Sequence, residues 1–90
     1  MGDFNLIPES EPIRIIKSQL DDALEISFTK WRGPMGTFNG FDIQHPLDKR
    51  IDYIFTTNYE IISHRHIDDR LNNNSFISDH LPVMVELQIK

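Results

Sequence analysis

Between Pro82 and Lys90 apolar and polar residues alternate without a break. Val83, Val85, Leu87 and Ile89 fall on one face of an extended chain, and Met84, Glu86, Gln88 and Lys90 fall on the other. A period of two is that of a half-buried strand, here the closing one. The run Arg50–Thr57 (RIDYIFTT) is rich in Ile, Tyr, Phe and Thr, and predicts a second strand with Ile51, Tyr53 and Phe55 on one face and Asp52 and Ile54 on the other. Tyr59–Ile67 predicts a third, in which His64 and His66 share a face. Upstream the period changes. Ile13, Ile16 and Leu20, with Leu24 beyond, recur at spacings of three and four while Arg14, Lys17 and Asp21 point elsewhere, which predicts one amphipathic helix over Glu11–Leu20. Ser10 stands at its N-cap, Glu11 in its positive first turn, and Pro12 where a backbone N–H has no partner to lose.

Between these elements, Phe28–Gly40 carries Gly33, Pro34, Gly36 and Gly40 among aromatic residues and reads as loop, and Asp68–Ser75, with three consecutive Asn, reads as a polar loop. One helix followed by strands predicts an α+β layer, the helix packed on a mainly antiparallel sheet, rather than a doubly wound unit. No repeat or low-complexity tract interrupts the order.

Composition narrows the class. Ninety residues hold at most one domain, near the lower size limit for a single hydrophobic core. With no cysteine, neither a disulfide nor a thiolate metal site can reinforce it. The formal charge of −5 gives no broad basic footprint for nucleic acid, although carboxylates that hold a cation invert the local field once it binds. No membrane span or signal peptide is legible, and localisation stays open.

The chemistry lies in a few positions. Gly2–Asn5 resembles the C-terminal mouth of a strand whose body is missing. Asp52, placed beside Ile54 within a strand, requires a cationic or imidazole partner to offset its desolvation. Ser78, Asp79 and His80 put an acid and an imidazole together at the mouth of the closing strand. Trp31 and the nearby aromatic rings either wall a ligand cleft or plug the end of a small core, with Asn39 a candidate polar contact. His64 and His66 have no third ligand at a metal-binding spacing and are expected to be exposed. Asp21, Asp22 and Glu25 are expected to form a solvated helix end. If the strands share a sheet, Asp3 with Asn5, Asp52, and Asp79 with His80 converge at one edge. Such a set suits metal-assisted phosphoester hydrolysis.

The segments GDFN (Gly2–Asn5), GTFNGF (Gly36–Phe41), RIDYIF (Arg50–Phe55) and SDHLPV (Ser78–Val83) together resemble successive motifs of the endonuclease/exonuclease/phosphatase superfamily. The resemblance implies half of a four-layer α/β-sandwich: residues 1–90 as the C-terminal half of one domain, the N-terminal half absent. It implies a metal-dependent phosphoester hydrolase, acting on phosphodiesters or phosphomonoesters, of undetermined substrate class. Asp3 would orient or activate the attacking water, Asn5 would position the phosphate, and Asp52 would pair with the catalytic His80. Asp3 and Asp79 would hold Mg²⁺ or Mn²⁺, weakly, since the family's principal metal-binding glutamate has no counterpart here. Trp31 and Asn39 are the candidate substrate contacts. Turnover by the isolated chain is expected to be low or nil, and a non-catalytic remnant or interaction module is the alternative. An isolated half would also expose the apolar face of its sheet, so self-association through that face is expected.

Overall fold

The computed structural model describes residues 1–41, 47–71, 73 and 75–90. Its elements run β1 (Gly2–Asp3), α1 (Glu11–Lys17), β2 (Asp21–Asp22), α2 (Ala23–Ile26), β3 (Asp52–Tyr53), β4 (Phe55–Thr56), β5 (Tyr59–His66) and β6 (Val83–Ile89). Strands pair β1 with β3, β2 with β4 and β5 with β6, each antiparallel. The α+β class with antiparallel pairing is therefore as expected. No helix among the described residues is long and apolar enough to cross a membrane.

The strand expected over Arg50–Thr57 is divided because it changes partner part-way. Asp52–Tyr53 lies against Gly2–Asp3, whereas Phe55–Thr56 lies against Asp21–Asp22. Between them the Ile54 carbonyl accepts from the Ala23 amide at 3.0 Å. The alternation survives the division: Ile51 and Tyr53 are buried, and Tyr53 stacks on Phe55 with centroids 5.4 Å apart, Phe4 packing edge-on against both. This one run thus ties the start of the chain to the segment after α1.

α1 stops at Lys17, short of Leu20. The Ser18 hydroxyl donates to the Ile15 carbonyl at 2.6 Å, and the Gln19 and Leu20 amides both turn back to Ile16, so the last turn tightens. Ile13 is fully buried, while Leu20 leaves the stripe and is 38% exposed. Ser10 occupies the N-cap with extended backbone, but its hydroxyl donates to the Ile7 carbonyl instead of accepting from the helix.

Asp22 corrects the expectation of a solvated acidic cluster. It caps the short α2, accepting from the Leu24 amide at 3.1 Å, and it is 2% exposed. The buried Arg50 guanidinium grips both its oxygens at 2.6 and 2.5 Å and lies 4.6 Å from the Tyr53 ring centroid. The pairing of β2 with β4 brings the acid over Arg50, and each charge offsets the other's loss of water.

His64 and His66 are likewise buried, each 1% exposed, where solvent exposure was expected. They face Val85 and Val83 across the β5–β6 pair. His66 Nδ1 meets the Pro34 carbonyl at 2.7 Å and must carry the proton there, so its Nε2 accepts. His64 Nε2, 3.1 Å away, is then the donor, and His64 Nδ1 is left as a buried lone pair without a partner among the described residues. Burial and the neighbouring ring push His64 down to about 4, and burial lowers His66 as well, so both rings stay neutral.

β6 keeps its alternation but loses cover along its length. Val83 and Val85 are half-buried, whereas Leu87 and Ile89, on the same face, are 41% and 81% exposed. Asp68–Ser75 is loop where described; Asn72 and Asn74 lie outside the described residues.

Candidate active site

The pairing of β1 with β3 sets Asp3 directly opposite Asp52, two like charges in a position that ordinarily repels. His80 resolves the conflict. Its Nδ1 donates to Asp52 Oδ2 at 2.8 Å, and its Nε2 lies 3.7 Å from Asp3 Oδ2. The Asp52 hydrogen bond chiefly raises the His80 pKa; burial opposes it, and the charges of Asp52, Asp3 and Asp79 reinforce it. The two acids that flank the imidazole favour its protonated form. Asp52 thereby acquires the partner that a carboxylate within a strand requires.

Asp3 is fixed locally. Its Oδ1 accepts from the Asn5 amide at 2.8 Å, a turn that Asn5 completes with φ of +53°, a region asparagine tolerates. The other oxygen, Oδ2, points toward His80.

A clip formed by Thr37, Phe38 and Asn39 sets the distance between β3 and the His80 loop. The fully buried Thr37 hydroxyl lies 3.1 Å from the Ile51 amide and 3.2 Å from the Asp52 amide and accepts from both. The Thr37 carbonyl accepts from Leu81 at 2.6 Å, and the Thr37 amide donates to Lys49 at 2.8 Å. Phe38 bridges to His80 and sets its ring edge-on to the imidazole, centroids 5.4 Å apart. The Asn39 amide donates to the Asp79 carbonyl at 2.8 Å. Close approach at the base of the clip demands Gly36, where a Cβ would stand 2.5 Å from the Lys49 nitrogen.

The expected site residues therefore separate. Asp3, Asp52 and His80 come together, with ligand atoms all within 4.8 Å of one another. Asn5 lies beside them through its bond to Asp3 and shares a cleft with Phe38. Asp79 does not join the trio that could hold a cation; its charge acts on His80, and its carbonyl anchors the clip. Asn39 is not placed as a substrate contact. It is fully buried, its Nδ2 donating to the Ser78 carbonyl at 2.9 Å and its Oδ1 accepting from the Phe41 amide at 2.6 Å, which pins the SDH loop. Trp31 lines a separate cleft with Leu24 and Met35. Thr37 and the Asp22–Arg50 pair were missed. Thr37 lay inside a quoted motif, but nothing in its spacing marks a hydroxyl that serves two amides.

The trio suits a divalent cation in part. Two carboxylates offer hard oxygens, as Mg²⁺ requires, but Asp52 Oδ2 and His80 Nδ1 are committed to each other, and one Asp3 oxygen to Asn5. Asp3 and Asp52 would hold such an ion through their remaining oxygens, with few protein ligands.

The model of the endonuclease/exonuclease/phosphatase family matches residues 1–80. The chain belongs to that family. Among solved structures it is similar to a conserved protein of unknown function from Enterococcus faecalis V583, at 27% identity and a TM-score of 0.91, covering 100% of this chain and 35% of that one. It is also similar to a mannosyl-6-phosphatase from Bacteroides thetaiotaomicron VPI-5482, at 29% identity and a TM-score of 0.80, covering 97% and 36%. A family member from Bacteroides thetaiotaomicron gives 30% identity and a TM-score of 0.79, covering 94% and 34%. This endonuclease/exonuclease/phosphatase chain thus spans about a third of the length of the structures it matches. No curated protein matches it.

Proposed function

We propose that the chain carries the histidine and carboxylate side of a metal-assisted phosphoester hydrolase centre. The observation that supports this best is the single imidazole held between Asp52 and Asp3, one nitrogen fixed and the other directed at the open carboxylate. Asp52 holds the ring in orientation and keeps Nδ1 protonated. His80 Nε2–H is free to bind a phosphoryl oxygen and to give its proton to the departing alkoxide as the bond from phosphorus to that oxygen breaks. The exposed Asp3 orients the water whose oxygen bonds to phosphorus, and takes the proton that water releases. A divalent cation held by Asp3 and Asp52 would offset phosphoryl charge and acidify bound water. Asn5 extends the site toward the phosphate. The mannosyl-6-phosphatase among the similar structures favours a phosphomonoester substrate.

With so few protein ligands, cation binding by this chain is weak and turnover slow. The test is hydrolysis of p-nitrophenyl phosphate and bis(p-nitrophenyl) phosphate with Mg²⁺ or Mn²⁺, alongside Mn²⁺ line broadening in NMR spectra. Slow metal-dependent release lost in Asp3→Ala and His80→Ala, with broadening centred on Asp3 and Asp52, is the expected result. Metal-independent release, or release unchanged by either substitution, overturns the proposal. Broadening without release identifies the second reading, a folded module without turnover, which the half-exposed Asp3 and its short ligand set favour.

A further inference from the structure

Beside the Asp3–His80 centre, Asn5, Phe38 and Lys49 line a cleft of about 360 Å³. Ile7 and Lys49 also line the adjoining cleft of about 410 Å³, which contains Trp31. Sharing Ile7 and Lys49, the two clefts adjoin as a groove between Phe38, whose ring stands edge-on to His80, and the indole.

Charge is unevenly distributed along this groove. Arg50 is neutralised by Asp22, and Glu25 by Lys17 at 2.7 Å. Lys49, exposed and shared by both clefts, has no ion pair among the described residues, nor do Glu9 and Asp48 in the outer cleft. Lys49 therefore lies where the two clefts meet, and the outer cleft carries the open carboxylates of Glu9 and Asp48 together with the Lys30 ammonium, 5.7 Å from the centroid of the indole ring.

We propose that this groove binds the leaving group of the substrate, and that the leaving group is a single uncharged, polyhydroxylated ring. Lys49 takes an oxygen of the phosphoryl group. Trp31, one of whose faces is covered by the Lys30 ammonium at 5.7 Å, presents apolar surface to the ring's C–H groups. Glu9 and Asp48 accept hydroxyl donors. The outer volume lies at the lower end of the range for small-molecule sites, which fits one ring and not a polymer.

The inference rests on the phosphoester reading, but its test does not need turnover. Trp31 is the only tryptophan, so the full chain gives one indole N–H signal in a ¹⁵N–¹H spectrum. Titration without added metal should move this signal saturably with a hexose 6-phosphate, weakly with the free hexose, and not with inorganic phosphate or a trinucleotide. Lys49→Ala, at an exposed position, should weaken the hexose phosphate about tenfold with the remaining spectrum unchanged; Lys49→Arg should restore it. An indole signal unmoved by the hexose phosphate, moved at lower concentration by the trinucleotide, or moved equally in Lys49→Ala overturns the proposal. Binding without hydrolysis of the bound sugar phosphate leaves this inference standing and removes the hydrolase reading for this chain. Hydrolysis of p-nitrophenyl phosphate without hexose phosphate binding does the reverse.

Discussion

Acidification from pH 7.5 to 4.5 should destabilise this protein through two histidines remote from the candidate chemistry. In the unfolded chain His64 titrates near its ordinary value of 6.5, but in the fold it is pushed down to about 4. Below pH 6.5 the unfolded state therefore binds a proton that the folded state refuses, so stability falls as pH drops and levels off below about 4. At about 1.4 kcal/mol per pH unit the loss approaches ~3 kcal/mol from His64 alone. His66, also lowered, adds in the same direction. The structural cause is explicit. Protonating His64 places a cation, 1% exposed, against His66, whose Nε2 already accepts its proton, and near the Arg50 guanidinium. For a domain whose whole stability is about 5–15 kcal/mol, this is a large fraction.

His80 acts with the opposite sign. Its pKa is raised, so its contribution is complete below the unfolded value of 6.5 and is lost as pH rises through the folded value. From His64, His66 and His80 alone, stability peaks near pH 6.5. Urea unfolding followed by Trp31 fluorescence at half-unit steps from pH 4 to 8.5 measures both limbs. His64→Leu should flatten the acid limb to what His66 supplies and leave the alkaline limb alone; Asp52→Asn should flatten the alkaline limb. An acid limb absent in the native sequence, or unchanged in His64→Leu, refutes the reasoning.

Asp22→Ala strands the Arg50 guanidinium and should cost roughly 3–5 kcal/mol in denaturant unfolding. Thr37→Val keeps the shape of the clip but leaves the Ile51 and Asp52 amides without an acceptor. Hydrogen exchange at those amides should accelerate and stability should fall by about 1–3 kcal/mol, Thr37→Ser restoring both. Gly36→Ala would press a methyl group into the Lys49, Asp48 and Leu47 backbone, and a lowered thermal midpoint with a disturbed His80 environment in NMR spectra is expected. The exposed apolar residues of β6 should drive self-association, read by sedimentation; Leu87→Lys with Ile89→Lys should return the chain to monomer.

What could be read from the sequence depended on whether one residue's neighbours carried enough information. β6 was legible because its alternation is uninterrupted, and the β3–β4 run because aromatic and β-branched residues dominate it. Asp52 was legible as an anomaly, a charge beside Ile54, and the structure gives it the imidazole that the anomaly required. The division of that run at Ile54 was not, because period two persists while the partner strand changes from β1 to β2. The burial of Asp22 was hidden for a related reason. Three acids close together resemble a solvated end, and only the register that sets Asp22 opposite Phe55 shows which of them meets Arg50. His64 and His66 failed on a different count. Polar residues at spacing two mark a face but not which face the fold covers, and here it is the covered one.

The same limit explains why the candidate site was legible as a set of residues but not as an arrangement. Asp3, Asp52 and His80 are adjacent in space because three segments cross at Thr37: β3 through its amides, the His80 loop through Leu81, and the clip through Lys49. Remove the hydroxyl and the residues of the trio are still present in the sequence, yet the two bonds that tie the Ile51 and Asp52 amides to the clip are lost, and Asp52 is held less closely at hydrogen-bonding distance from Nδ1. The charge on His80 depends first on that distance and only then on the more diffuse fields of Asp3 and Asp79. A neutral, buried threonine outside the trio is thereby expected to influence the protonation of the imidazole more than the acid next to it in sequence. Thr37→Val should lower the His80 pKa further than Asp79→Asn does, a ranking that ring-proton titration by NMR decides.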